Sequence, residues 1–438
     1  MSREDKPAND VTSQLRDGDT SIQETTCCIV GAGPAGALLA LLLARQGISV
    51  LLLEAHKDFE REYRADTLHP YILEILEELG LADTLQHIRH TKIRQMTAMT
   101  PTGSMLLYDF GRLKTRYPYF TMMPQAHFLE FLTREASRYP NFQLVMGARV
   151  EHLIEHDGVI AGVRYRATDG MHEVQADLTI GADGRFSRVR CLAQLASIKL
   201  APPIDLLWFK LPSEPGDDQE EGAQLYFGAG RFLVAFYRYE YWQVGYGFLK
   251  GGYQELRASG VDGLRLQVGT LAPRFAEKMH ILTDWKQVSL LSIEASRLVR
   301  WYRPGLLLIG DAAHVMTPIG GVGINLAVQD AVVAANILGE PLRHGSLQTR
   351  HLAIIQRQRE IPTRILQWNQ QMIQNRIQKN KGQADQPSRT PFMGRLIRRL
   401  PLIRNLPAYL TAYAVFPPRI KAAKGEREST VLPQEGEE

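Results

Sequence analysis

Apolar residues along this chain fall into three patterns. Four short runs, at residues 27–30 (CCIV), 48–53 (ISVLLL), 178–180 (LTI) and 306–309 (LLLI), are uncharged and mostly apolar. That is the signature of strands covered on both faces of a sheet. Helical spacing appears in residues 37–47 (ALLALLLARQG), at apolar positions 68, 72, 75, 76 and 79 before Gly80, over about 324–338, and over 344–378 with Pro362 as an expected kink. A further helix is expected to begin near Pro124, opened by Gln125.

Alternation is the third pattern. Residues 145–166 read as two strands joined at Asp157-Gly158, a hairpin signal. Between Pro202 and about Ser292 the runs IDLLWFKL, AQLYFG and RFLVAFYRYEYWQVGYGFLKGG are longer, amphipathic and aromatic, as in an antiparallel sheet forming a second domain. Of Leu206, Trp208, Tyr226, Phe232, Phe236, Tyr237, Trp242 and Tyr246, a minority is expected to line a substrate cavity and the rest to form core.

The expected class is α/β. A Rossmann-type cofactor domain with a central parallel sheet is assembled from residues 25–90, 121–195 and 293–345. A smaller, mostly antiparallel β-sheet substrate domain takes 91–120 and 196–292, and C-terminal helices take 346–425, basic and amphipathic from 392. Residues 1–24 and 426–438 read as disordered tails.

The loops that leave the apolar runs carry the chemistry. The first run leads into Gly31-Ala-Gly33-Pro-Ala-Gly36 and a helix; the second ends at Glu54, 18 residues past the last glycine. Strand, GxGxxG, helix, strand and acid together specify a dinucleotide, with the pyrophosphate at the helix N-terminus and Glu54 placed for a ribose hydroxyl. The third run leads into Gly181, Asp183, Gly184 and Arg185. After the fourth come Asp311, Pro318, Gly320, Gly321 and Gly323, then a helix whose first-turn N–H groups favour negative charge, as on a reduced flavin. Arg64, heading RADTLHP, is placed to meet the pyrophosphate with its planar fork.

Composition removes other classes. The chain has 438 residues, 45% of them hydrophobic, and a net charge of +4, with no basic motif for nucleic acid. Cys27, Cys28 and Cys191 have no metal-binding spacing and suit a reducing, cytoplasmic compartment. His152-Leu-Ile-Glu155-His156 imitates a zinc motif, but strand geometry places the two histidines roughly 13 Å apart, so no metal is expected. Residues 25–44 carry no charge, yet Gly31, Gly33, Pro34 and Gly36 interrupt them, against a membrane span. Residues 392–424 hold seven Lys or Arg and no acid, a pattern that suits either peripheral contact with an anionic membrane or a cap on the chain's own domain.

These motifs, in this order, resemble the single-component FAD monooxygenases of the para-hydroxybenzoate hydroxylase fold, over about residues 27–339. The resemblance implies that Gly31, Gly33, Gly36 and Glu54 hold the ADP part of FAD, that Arg64 binds the pyrophosphate, and that Gln125 contacts the flavin side. It implies that Asp183 serves FAD and the nicotinamide nucleotide together, that Asp311 binds the ribityl chain, and that residues 318–325, including Pro318, Gly321, Gly323 and Asn325, lie along the isoalloxazine. The activity implied is NAD(P)H-dependent insertion of one atom of O₂ into an aromatic or other apolar organic molecule through a flavin C4a-hydroperoxide. NAD(P)H would be a transient co-substrate, since no second GxGxxG follows a strand. The tyrosines and histidine of a phenol-deprotonating relay have no match, and isolated Trp208, Trp242, Trp285, Trp301 and Trp368 argue against a flavin halogenase. Two competitors remain open: an FAD-dependent reductase of a lipid-like or isoprenoid substrate, and a flavin-binding sensor without turnover.

Overall fold

The structure is a computed structural model that describes residues 22–60, 66–100, 103–214, 216–217, 222–228, 230–238, 240–379 and 405–421. Its centre is the set of four apolar runs. Strand Ile22–Val30 pairs in parallel with Val50–Glu54 on one side and Gly170–Gly181 on the other, and Gly170–Gly181 pairs in parallel with Leu306–Leu308. Phe142–Met146 extends the sheet beyond Val50–Glu54, again in parallel. Ile29, Leu52, Ile180 and Leu307 are completely buried, as strands covered on both faces require. Because the strands run the same way, the loops after Val30, Glu54, Gly181 and Leu308 all leave at one edge.

Two boundaries differ from the sequence reading. Residues 22–24 belong to the first strand rather than to a tail, because they pair with residues 173–175 of Gly170–Gly181. Val145 and Met146 end the parallel strand Phe142–Met146, so the hairpin consists of Arg149–His156 and Val159–Ala167, turning at Asp157 and Gly158, both with positive φ. His152 and His156 stand exposed on that hairpin, and no group of three or more potential metal ligands occurs among the described residues.

The second sheet has seven strands in the order Ser289–Leu291, Ile204–Pro212, Tyr241–Leu249, Arg231–Arg238, Gly222–Gly228, Gln95–Thr100, Gly103–Asp109. All neighbours are antiparallel except Gly222–Gly228 with Gln95–Thr100. Alternation gives it two working faces. Leu207, Phe209, Tyr226, Tyr237, Trp242 and Tyr246 form a core with helix Gly260–Leu271 and its neighbours. Leu206, Trp208 and Phe232 point the other way and pack with Ile319 of the glycine-rich loop. Helix Val322–Arg343 starts two residues earlier than its spacing suggested and is buried along most of its length. Helix Thr349–Lys379 continues through Pro362.

Candidate functional site

The site grows from the parallel edge, where glycines let three loops touch. Gly31 has φ +101°, and a Cβ there would lie 2.6 Å from the carbonyl oxygen of Ala182. A Cβ on Gly36 would lie 2.0 Å from the carbonyl oxygen of Gly31. These two glycines serve the fold. Gly33 differs: the nearest atom to a Cβ there is the Ala182 oxygen at 3.9 Å, so it faces free space before the N-terminus of helix Pro34–Arg45. Glu54 is buried, and its carboxylate accepts the backbone N–H of Ala32 at 2.9 Å and that of His56 at 3.1 Å. It therefore shapes the loop it was expected to help in binding.

The second loop is braced in the same manner. Asp183 accepts from the Ser187 hydroxyl at 2.5 Å and from the backbone N–H of Val189 at 3.0 Å, while burial pushes its carboxyl above the usual range. Arg190 then donates to the carbonyl of Ala312 at 3.1 Å, tying this loop to the third. The third loop meets the first where a Cβ on Gly310 would come 3.2 Å from the methyl of Ala35. Glu54, Asp183 and Asp311 thus open along one edge, on loops in mutual contact.

The third loop rests on buried charge. Asp330, inside helix Val322–Arg343, accepts the backbone N–H of Gly310 at 2.9 Å, His314 Nε2 at 2.6 Å and Arg359 Nε at 2.7 Å. Burial alone would raise the Asp330 carboxyl, but His314 and Arg359 outweigh it and hold it below its ordinary value. Half-buried Asp311 sits on the turn that this network fixes. Pro318 leads into Gly320 and Gly321, both with positive φ, and a Cβ on Gly321 would lie 2.8 Å from the Thr67 hydroxyl. Among the described residues, nothing lies within 4 Å of the Cβ position of Gly323, in the first helical turn. Asn325 is fully buried and donates its amide to the carbonyl of Ala412 at 3.1 Å.

Gln125 opens helix Gln125–Ala136 and donates its backbone N–H to Asp66 at 3.2 Å. Asp66 also accepts from Arg238 of the second sheet at 2.5 Å, which ties that sheet to the segment beside this helix terminus. Burial raises the Asp66 carboxyl, opposed chiefly by Arg238. Arg64 lies outside the described residues. Four participants escaped the sequence reading: His69, Asp66, and the pair Asp330 and Arg359. Only Asp330 left a trace, as the one acid in the helical stretch read over about 324–338.

The edge therefore presents two helix N-termini, at Pro34 and Val322, and two glycines, Gly33 and Gly323, with open space where a side chain would stand. Such termini attract anionic groups at two separated points, and flat backbone lies between them. A dinucleotide with a pyrophosphate at one end and a ring that gains negative charge at the other fits that layout. A family model described as an FAD binding domain matches residues 24–369.

The chain belongs to the FAD-dependent aromatic hydroxylases of the para-hydroxybenzoate hydroxylase fold.

The hydroxylase is 34% identical over 391 residues to 6-methylpretetramide 4-monooxygenase of Streptomyces rimosus, covering 87% of this chain and 91% of that one. PqsL of P. aeruginosa, solved with 2-aminobenzoylacetate, superposes with a TM-score of 0.72 at 22% identity, over 82% of the hydroxylase and 98% of PqsL. The anhydrotetracycline hydroxylase OxyS from Streptomyces rimosus gives 0.71 at 22% identity, over 89% and 76% of the two chains. The structural likenesses show a common fold, and the sequence match shows the enzyme class: an FAD-dependent monooxygenase.

Proposed function

We propose that the hydroxylase oxidises NAD(P)H and inserts one oxygen atom of O₂ into a neutral, fused-ring aromatic substrate lying between the glycine loop and the second sheet. One observation carries the substrate class. On the sheet face that meets Ile319, the central strand Tyr241–Leu249 contributes Gly245 and Gly247, opposite Trp208 and Phe232. A Cβ on Gly247 would fall 2.0 Å from the Phe232 ring, and one on Gly245 2.9 Å from the Trp208 ring. The two rings thus lie over bare backbone and make a flat apolar floor. Along strands Ile204–Pro212 and Arg231–Arg238, charge enters this face only at the far end. Arg238 is held there by Asp66, and Lys210 lies over the Tyr241 ring. Among the described residues of these two strands, Arg238 is the guanidinium on this face, and Asp66 already holds it. The relative named for 6-methylpretetramide supports the same class.

Bound FAD supplies the chemistry that activates oxygen. The chain's part is placement and exclusion. Gly33 and the Pro34 terminus would receive the pyrophosphate, and the terminus at Val322 would favour charge on the reduced ring. Trp208, Phe232 and Ile319 would keep water from the reacting carbon. Turnover under ¹⁸O₂ with neutral fused-ring phenols and with benzoates tests this. Labelled product and NAD(P)H consumption stimulated by the phenols are expected. Unlabelled product would point to the reductase alternative, and stimulation by benzoates alone would overturn the substrate class.

A second site supports contact with an anionic membrane. Helix Thr349–Lys379 exposes Ile361, Ile365, Trp368 and Met372 at alternating spacings of four and three, with Trp368 63% exposed and Arg357 and Arg364 alongside. This stripe precedes the basic stretch 392–424, of which residues 405–421 are described. Apolar side chains flanked by cations complement an anionic bilayer, whereas a second copy would bring like charges together. The protein is expected to sediment with phosphatidylglycerol vesicles, and Trp368→Glu to release it. Equal recovery with and without such vesicles, or a dimer dispersed by Trp368→Glu, would overturn the assignment.

A further inference from the structure

Residues 405–421 lie beyond the matched FAD-binding domain, which ends at residue 369, yet they close directly on the glycine loop. Three successive carbonyls at the end of helix Leu406–Tyr413 are each taken by a side chain from the cofactor edge. His69 Nδ1 donates to Thr411 at 2.6 Å, Asn325 Nδ2 to Ala412 at 3.1 Å, and Gln329 Nε2 to Tyr413 at 2.8 Å. The last carbonyls of a helix have no partner within it, so these donors cap it from outside. All three donor side chains are completely buried. Among the described residues the Oδ1 of Asn325 and the Oε1 of Gln329 have no hydrogen-bond partner, so there Ala412 and Tyr413 fix how these amides are turned.

The contact reaches the loop itself. The methyl of Thr411 lies 3.9 Å from the Cβ position of Gly320, and Ala414 packs with Met316, Val322, Leu326 and Leu366 around the start of the loop helix. The Thr411 hydroxyl also meets Tyr108, on the strand Gly103–Asp109 of the second sheet. The far end is anchored elsewhere. Tyr413 donates to Glu74 at 2.5 Å, Arg419 pairs with Glu74 and Glu78, and the Tyr71 hydroxyl donates to Pro418 at 2.8 Å.

We propose that residues 405–421 form a fixed strap that sets loop 318–323 against the isoalloxazine, with Gln329 as its positioning residue. The inference rests on the FAD site described above. Asn325 and Gln329 lie one turn apart on the loop helix, so a strap bound to both fixes the rotation of its first turns, and with it the loop. A loosened strap leaves the loop free to drift from the ring. Reduced flavin is then less shielded from water and oxygen, and electrons from NAD(P)H are lost to hydrogen peroxide.

Gln329→Met keeps the side chain's length and removes the donor; Arg419→Ala releases the strap from the opposite, exposed end. Both are measured as FAD-loaded full-length protein. The readouts are protease cleavage within 405–421, the flavin absorption band, FAD affinity, and peroxide formed with NADPH or NADH and no substrate. Expected are faster cleavage, a band shifted towards free FAD, and FAD affinity weakened about tenfold, the effect of losing roughly 1.4 kcal/mol. Peroxide release should rise in step. Faster cleavage with unchanged spectrum and FAD affinity would overturn the proposal, as would unchanged cleavage in both variants. If the wild-type chain itself bound no FAD, the cofactor reading would fall instead, so the two failures are told apart.

Discussion

Gly33→Val separates the needs of the cofactor from the needs of the fold, because the three glycines of the first loop face different neighbours. At Gly31 and Gly36 a methyl would meet backbone at 2.6 Å and 2.0 Å, well inside contact distance, and Gly31 also has φ +101°. Substitution there forces the loop apart and costs about 1–3 kcal/mol or more, as overpacking does. At Gly33 the backbone is extended, with φ −69° and ψ −179°, which a β-branched residue accepts, and the nearest atom is 3.9 Å away. The fold's penalty is then only the poorer N-cap, about 1 kcal/mol. In a chain this long, that lowers Tm by about 2 °C or less. The space it fills is the space assigned to the pyrophosphate. Losing contact with the helix terminus should weaken FAD by at least about 100-fold, or roughly 2.7 kcal/mol. Differential scanning calorimetry of the apoprotein and fluorescence titration with FAD read the two quantities separately. A Gly33→Val protein that purified yellow with a full complement of flavin would refute the reasoning, as would one with Tm depressed as far as in Gly36→Val.

Buried groups and the aromatic floor give three more expected outcomes. Burial holds the His69 ring at about 4, against about 6.5 in an unfolded chain. The unfolded chain therefore takes up that proton first, stability falls as pH drops from 6.5 towards 4 by up to about 3 kcal/mol, and urea midpoints of His69→Gln should be flatter across that window. Arg359→Leu leaves Asp330 buried with His314 as its remaining side-chain partner, which should cost about 3–5 kcal/mol in urea unfolding; a loss under about 1 kcal/mol would show the network to be dispensable. Gly247→Ala must displace the Phe232 ring, so KM for a fused-ring substrate should rise severalfold while substrate-free NAD(P)H oxidation stays level, and an unchanged KM would count against the floor.

The parallel sheet and its loops could be read in the sequence because the signals are local. A run such as LLLI followed by glycines states both a buried strand and a close approach within a few residues. The hairpin was legible from Asp157-Gly158 for the same reason, but its start was not. Whether Val145 and Met146 join the hairpin or the neighbouring parallel strand depends on Val50–Glu54, some ninety residues earlier. What holds the site was hidden by distance. Arg359 reaches Asp330 from another helix across 29 residues, and His69 reaches Thr411 across 342. Contacts between a side chain and a distant backbone carbonyl leave no pattern, because any residue supplies the carbonyl. The aromatic strands gave the second sheet but not its working face. That was decided by which side Gly245 and Gly247 leave bare, and by Ile319 arriving from the loop.

Three acids of this edge share one habit. Glu54 accepts the N–H of Ala32, Asp183 that of Val189, and Asp330 that of Gly310. Each of these charges is thus spent, at least in part, on the backbone of a loop, and what the loops present to a dinucleotide is glycine backbone, two helix termini and half-buried Asp311. That division suits an anionic ligand, since carboxylates turned outward would repel the pyrophosphate and carboxylates turned inward do not. It also ranks the substitutions. Glu54→Gln keeps an acceptor for Ala32 but loses the charge and the second oxygen that takes the His56 N–H, a local change at the loop, so FAD affinity should change less than about tenfold, far less than in Gly33→Val. A ribose hydroxyl held mainly by the Glu54 charge demands a loss comparable to Gly33→Val, and equal losses in side-by-side titrations would move Glu54 from shaping the loop to binding the cofactor.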